Sequence, residues 1–211
     1  MANPLQLAEF LCARLCHDLS GPIGSLVGAL DLATDGDGDD REILAVANES
    51  AQALAQRLRL LRAAWVGDCG SLSVSELVQL ASGLPSGKKT RLDVSGLEDI
   101  ARFPPQVARL VLNLVLLAAE SLPRGGRVVL AGSPTGDVVV MIDGPGAAWP
   151  PGMALCFADE AAAWSALVSA RGVQAPVTAL IARQSGLGVS LLMPGGPSAG
   201  PAPLLLRATA G

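Results

Sequence analysis

The chain has 211 residues, half of them apolar, with a net charge of −4 and only 3% aromatic residues. That length allows one or two domains with a well-buried core, while the negative charge and the scarcity of rings argue against a nucleic-acid surface. No apolar run reaches the roughly 18 residues that span a bilayer, because Leu110 to Leu122 is interrupted by Asn113 and Glu120; with Glu9 early and no basic stretch before it, a cytoplasmic protein without a secretory leader is expected.

The first predicted element is a helix over residues 5–32. Its apolar stripe runs through Ala8, Leu11, Leu15, Leu19, Pro22, Leu26 and Leu30 at steps of three or four, as one buried helix face requires. His17, the only histidine, falls roughly 180° from the middle of that stripe at about 100° per residue. Its predicted neighbours on the outer face are Ala13, Arg14, Ser20, Gly21, Gly24 and Gly28, with Phe10 two turns back. Glycine inside a helix costs about 1 kcal/mol relative to alanine. Three of them beside one exposed imidazole read as a surface kept low for close approach by a partner. Pro22 predicts a slight kink.

The segment Thr34-Asp35-Gly36-Asp37-Gly38-Asp39-Asp40 alternates aspartate and glycine, but a calcium loop would need glycine where Asp40 stands and glutamate where Val46 stands. It reads as a solvated turn capping the next helix. That second helix, about 41–66, carries Leu44, Ala47, Ala51, Leu54, Leu58, Leu61 and Trp65 at alternating steps of three and four, a bundle seam of three heptads. Two antiparallel helices cannot close two such stripes on each other. A second copy of the hairpin would complete a four-helix bundle, so a homodimer is expected.

Residues 67–73 read as a linker, followed by a helix from Val74 to Ser82 opened by the Ser73-x-x-Glu76 capping pattern. A strand is expected over Lys89 to Val94, then a long apolar helix from Pro105 to Ser121 that stops before Pro123-Arg124-Gly125-Gly126. Arg127 to Ala131 and Asp137 to Ile142 flank a Gly, Ser and Pro turn and predict a hairpin. Helices over Asp159 to Ala170 and Pro176 to Gln184 precede a last strand, Gly188 to Met193, and the tail from Pro194 is Gly, Pro and Ala rich apart from Leu204 to Leu206. Cys12, Cys16, Cys69 and Cys156 form no CxxC pair and are read as small buried hydrophobes, so neither a metal nor a disulfide is expected.

With His17-Asp18-Leu19-x-x-Pro22 on the first helix of a hairpin and an α+β segment behind it, the chain resembles the two-domain body of sensor histidine kinases. Val111-Leu112-Asn113-Leu114-Val115-Leu116-Leu117-Ala118-Ala119-Glu120 resembles the kinase N-box helix. Leu117 stands where working kinases carry the asparagine that holds the magnesium of ATP, and leucine cannot coordinate a cation. Asp143-Gly144-Pro145-Gly146-Ala147 stands where kinases carry an Asp-x-Gly-x-Gly loop, with Pro145 and Ala147 in the glycine places. No glycine-rich lid occurs between Trp149 and Gly172.

A retained phosphoacceptor motif with a dismantled nucleotide site resembles the ChpT-type histidine phosphotransferases of alphaproteobacterial phosphorelays, over nearly the whole chain. The resemblance implies an α+β fold: residues 1–68 as a helical hairpin for dimerisation and phosphotransfer, and residues 69–211 as a degenerate kinase ATPase-like α/β sandwich. It implies a phosphotransferase that takes a phosphoryl group from the receiver domain of a hybrid histidine kinase, holds it on His17 and passes it to the receiver of a response regulator. It further implies no ATP use and no resident cofactor, magnesium belonging to the partner receiver. Imidazole suits the task because its neutral, nucleophilic form is well populated near physiological pH. Asp18, about 100° around the helix, is read either as orienting the ring or as a solvated charge. Arg14, one turn earlier, is read either as a phosphate contact or as half of a surface ion pair. Arg14, Ser20, Gly21, Gly24 and Gly28 form the expected docking face. An ATP-dependent kinase and a non-catalytic receiver-binding adaptor are the competing readings.

Overall fold

The computed structural model describes residues 3–35, 40–67, 69–85, 90–98, 102–192 and 200–207. Most of the aspartate-rich turn, Lys89 and much of the tail lie outside the described residues.

Helices α1 (Pro4–Asp35) and α2 (Asp40–Leu61) pack along each other, and Pro22 lies inside α1. At the end near their connection the shared core is small: Ala29, Ile43 and Ala47, with Leu26 against them. At the other end Leu7, Phe10, Leu11 and Leu15 join the main core beside Leu60, Leu61, Ala63 and Ala64. The inward face of α1 is therefore rotated from the expected stripe: Ala8 is exposed, Leu30 is half exposed, and Leu7 and Phe10 turn inward instead. The cause is that the base of the hairpin is covered by the rest of the chain as well as by α2.

The second helix does not stay α-helical to residue 66. Arg62–Val66 form a π-helical turn closed by Gly67 at φ 79°. A wider turn leaves carbonyls without helical partners, and side chains from a later helix supply them. Asn113 Nδ2 donates to the Ala64 carbonyl at 2.7 Å, Arg109 Nε to the same oxygen at 3.3 Å, and Arg109 Nη2 to the Trp65 carbonyl at 2.6 Å.

Helix α3 (Val74–Ala81) opens with the expected capping box: the Glu76 amide donates to Ser73 Oγ, and Glu76 Oε2 accepts from the Ser73 amide at 2.7 Å. Strand β1 (Thr90–Leu97) and strand β2 (Gly126–Gly132) pair in parallel, which demands a crossover; helix α4 (Pro105–Glu120) provides it. Every residue of α4 from Leu110 to Ala119 is buried, which is why all of them but Asn113 are apolar. Strand β3 (Val138–Asp143) returns antiparallel to β2, as the hairpin pattern predicts.

Beyond β3 the chain departs from expectation twice. Of the helix expected over 159–170 only α6 (Glu160–Ser165) forms, and a further short helix, α5 (Met153–Ala158), precedes it; Asp159 between them is extended and its carboxylate caps α6. Helix α7 (Gln174–Gln184) and strand β4 (Gly188–Leu191) follow. The tail then contributes β5 (Leu204–Arg207), which inserts between β3 and β4 to give the order β1-β2-β3-β5-β4. Leu204 and Leu206 are fully buried in line with Val140 and Val138, and Val128, Leu130 and Ile142 complete the face packed into the core. Three consecutive leucines show no period of two, so their strand role is invisible without the neighbouring strands. The architecture is mixed α+β: a five-stranded sheet, helices against it, and a helical hairpin rooted in the same core.

Candidate functional site

His17 stands on α1 with its side chain 69% exposed. At the helical rotation, His17, Gly21, Gly24 and Gly28 share an arc of roughly 60°. Ser20 is exposed beside them, its hydroxyl donating to the Cys16 carbonyl at 2.6 Å. A Cβ added at Gly21, Gly24 or Gly28 would meet nothing within 4 Å, so the packing of this chain does not require glycine at any of the three. Cys12 and Cys16 are exposed on the same helix rather than buried as read from sequence, Cys69 is half-buried, and Cys156 is buried, which pushes its thiol up.

The two charged neighbours of His17 turn the other way. Asp18 Oδ1 lies 3.3 Å from His17 Nδ1 and accepts from Arg14 Nε at 2.9 Å. Asp18 Oδ2 accepts from Arg57 Nη2 on α2. The Asp18 carboxylate is only 8% exposed, so it is not a solvated charge. Burial pushes its pKa up, but the positive charges and hydrogen bonds of Arg57, then Arg14, outweigh that and hold it below the usual carboxylate range. Arg14, expected on the outer face, folds inward along the helix and is 13% exposed. Its Nη2 donates to Glu120 Oε1 at 2.6 Å and its Nη1 to the Arg171 carbonyl at 3.5 Å. Glu120 carries the opposite perturbation. Burial pushes its carboxyl up, Arg14 pulls it down in part, and the nearby charge of Asp18 adds to the rise.

Arg57 and Glu120 are functional candidates that sequence reasoning passed over. Arg57 is buried on the inward face of α2 among Leu54, Leu60 and Leu61, and its Nη1 donates to the Gly83 carbonyl at 3.3 Å. A cation within an apolar helical period is itself the signal that could have found it. A Cβ on Gly83 would stand 2.3 Å from the Gln56 carbonyl, so glycine there lets the loop after α3 reach α2. Arg14, Arg57, Leu84, Pro85, Thr90, Leu116, Ala119 and Glu120 line a small cavity at this junction.

In the second half of the chain, Leu117 is fully buried in the core. In the loop after β3, the Ala147 amide donates to the Gly144 carbonyl and the Ala148 amide to the Ser121 carbonyl, both at 3.1 Å. Asp143 points outward and accepts from Arg127 Nη2 at 3.3 Å. Asn113, in the N-box-like helix, is committed to the π-helical turn and to Gln174, whose Nε2 donates to Asn113 Oδ1 at 3.0 Å. Among the described residues no group of three or more His, Cys, Asp or Glu side chains comes together to hold a metal ion, and no helix is long and apolar enough to cross a membrane.

The chain is 29% identical over 196 residues to the protein phosphotransferase ChpT of Brucella abortus (strain 2308), covering 90% of this chain and 91% of that one. The solved structure of a bacterial phosphotransferase superposes with a TM-score of 0.71 at 24% identity, covering 98% of this chain and 97% of that one, and so shares its fold. Residues 74–196 match the model of the histidine phosphotransferase C-terminal domain, a stretch that begins at the first residue of α3 and runs past β4. The chain belongs to the histidine phosphotransferase family.

Proposed function

We propose that His17 is the phosphoryl acceptor of a cytoplasmic relay, taking the group from the receiver aspartate of a hybrid histidine kinase and passing it to the receiver aspartate of a response regulator. The observation that carries this reading is the arrangement of the only histidine: an exposed imidazole whose Nδ1 faces an ordered, buried carboxylate at 3.3 Å. In the Nδ1–H tautomer Asp18 accepts from Nδ1, and the lone pair of Nε2 is free for attack. In transfer, that lone pair attacks phosphorus of the receiver's acyl phosphate. The Nε2–P bond forms as the P–O bond breaks, the bonding pair leaves with the receiver carboxylate, and the ring becomes an imidazolium that keeps its Nδ1 proton. The Asp18 charge faces that developing positive charge. Return transfer reverses each step. Phosphoryl transfer depends mostly on positioning and charge neutralisation, and the receiver's own acidic pocket and magnesium serve the phosphoryl oxygens.

Ser20, Gly21, Gly24 and Gly28 form the docking face in this reading, their bare surface admitting a receiver close to His17. Arg14 does not belong to that face, since it is spent on Asp18 and Glu120. A homodimer uses different surfaces. Ile23, Val27 and Leu30 form a second exposed stripe on α1, roughly 120° around the helix from His17. On α2, Leu44 (63% exposed), Ala51 and Leu58 (43%) are the seam positions left outside the hairpin while Ala47 and Leu61 are buried within it. Apolar stripes of this length favour closure against a second hairpin into a four-helix bundle. Burial of Leu117 and the internal use of the Ala147 and Ala148 amides support a second domain, residues 69–211, that has lost nucleotide chemistry.

The test is transfer from a phosphorylated receiver domain to the wild-type chain and to His17→Ala, beside a lane containing only Mg-ATP. Label on the wild type alone, with none from ATP, is expected. Label on His17→Ala refutes the acceptor assignment, label from ATP supports the kinase reading, and a stable complex without label supports the adaptor.

A further inference from the structure

Asp18 can orient an imidazole only if it is itself held. A carboxylate on an exposed helix turn rotates freely, and a neutral imidazole can carry its proton on either nitrogen. Here both oxygens of Asp18 are engaged, Oδ1 by Arg14 and Oδ2 by Arg57. Neither arginine is anchored within the hairpin alone. Arg57 is tied to the Gly83 carbonyl in the loop after α3; Arg14 is tied to Glu120 at the end of α4 and to the Arg171 carbonyl before α7. Two cations and two carboxylates balance at the junction, so the cluster tolerates its own burial.

We infer that Arg57 and Arg14 are positioning residues for transfer at His17, each gripping one oxygen of Asp18 from an anchor in the second domain, so that the second domain keeps the imidazole in its Nδ1–H form. This rests on His17 being the acceptor. It gives the family-matched C-terminal segment a task at the active histidine that needs no nucleotide. With Asp18 held below the usual carboxylate range, the shared proton stays on the ring and Nε2 stays free.

The single histidine makes the test clean, since histidine-specific ¹⁵N labelling yields only two ring signals. Wild type, Arg57→Met and Arg57→Lys are compared for ring-nitrogen shifts and for the initial rate of phosphorylation by phosphoramidate, which gives up its phosphoryl group with loss of ammonia and needs no docked receiver. Wild type is expected to show protonated Nδ1. Arg57→Met is expected to show mixed tautomers and a rate lower by roughly ten- to hundred-fold, and Arg57→Lys to recover part of both. Wild-type tautomer and rate in a folded Arg57→Met overturn the inference while leaving the acceptor reading intact. Absence of label on the wild type from either phosphoramidate or a phosphorylated receiver overturns the acceptor reading itself. If Arg57→Met does not fold, Glu120→Gln, which removes the charge that anchors Arg14 at a less buried position, carries the same two readouts, with a smaller change expected and no change overturning the inference.

Discussion

Replacing Asp18 by asparagine keeps the shape of the side chain and removes its charge, which isolates the electrostatic worth of the junction. Asp18 accepts charge-assisted bonds from Arg14 at 2.9 Å and from Arg57, each of a kind worth about 1.5–3 kcal/mol. Removing one partner of a buried ion pair costs about 3–5 kcal/mol. Arg14 retains Glu120 and Arg57 retains the Gly83 carbonyl, so the low end applies and about 3 kcal/mol is expected near pH 7. The pH dependence has a definite sign. The folded-state pKa of Asp18 is depressed below its ordinary 3.8, so its contribution is present above that value and is lost as pH falls through the folded pKa. Glu120 acts oppositely, its raised pKa favouring the protonated form, but it is common to both proteins and largely cancels in the comparison. Urea unfolding followed by far-UV circular dichroism at about pH 7 and about pH 3 measures the gap between wild type and Asp18→Asn. The gap should be widest at neutral pH and should narrow as the pH falls below 3.8. A gap below about 1 kcal/mol at neutral pH, or one that does not narrow in acid, refutes this account of the cluster.

Gly24→Ala and Gly28→Ala should each stabilise α1 by up to about 1 kcal/mol, because the added methyl meets nothing, and should slow transfer from a receiver while leaving phosphorylation by phosphoramidate unchanged; equal slowing with both donors would contradict the docking role. Leu117→Asn should destabilise the chain by about 3 kcal/mol through a polar group buried in the core and should yield no Mg-ATP signal in calorimetry. Leu44→Glu combined with Leu58→Glu should give a monomeric mass by light scattering without unfolding the hairpin, since both side chains are exposed in the single chain; retention of a dimer would place its interface elsewhere.

Much of the site was legible because it depends on local periodicity. The outward direction of His17, the bare glycine face, the capping box at Ser73 and the β2–β3 hairpin all follow from spacing within one or two turns, and the long apolar helix α4 was legible from its composition. Residues whose partners lie far along the chain were not legible. Arg57 meets Asp18 across 39 positions and Arg14 meets Glu120 across 106, and no local pattern pairs them.

By itself, then, the sequence determined an exposed lone histidine on a glycine-lined helix, a hairpin with apolar surface to spare, and a mixed α+β segment behind it. Tertiary structure decided that Arg14 points inward, that Asp18 is clasped from both sides, that the second helix ends in a π-helical turn held by Arg109 and Asn113, and that Leu204 to Leu206 form an inner strand. The physical reason is common to all four. A charged side chain, a stray carbonyl or a short apolar run takes its conformation from whatever satisfies it in space, and for these groups the satisfying partner is supplied by a distant part of the chain.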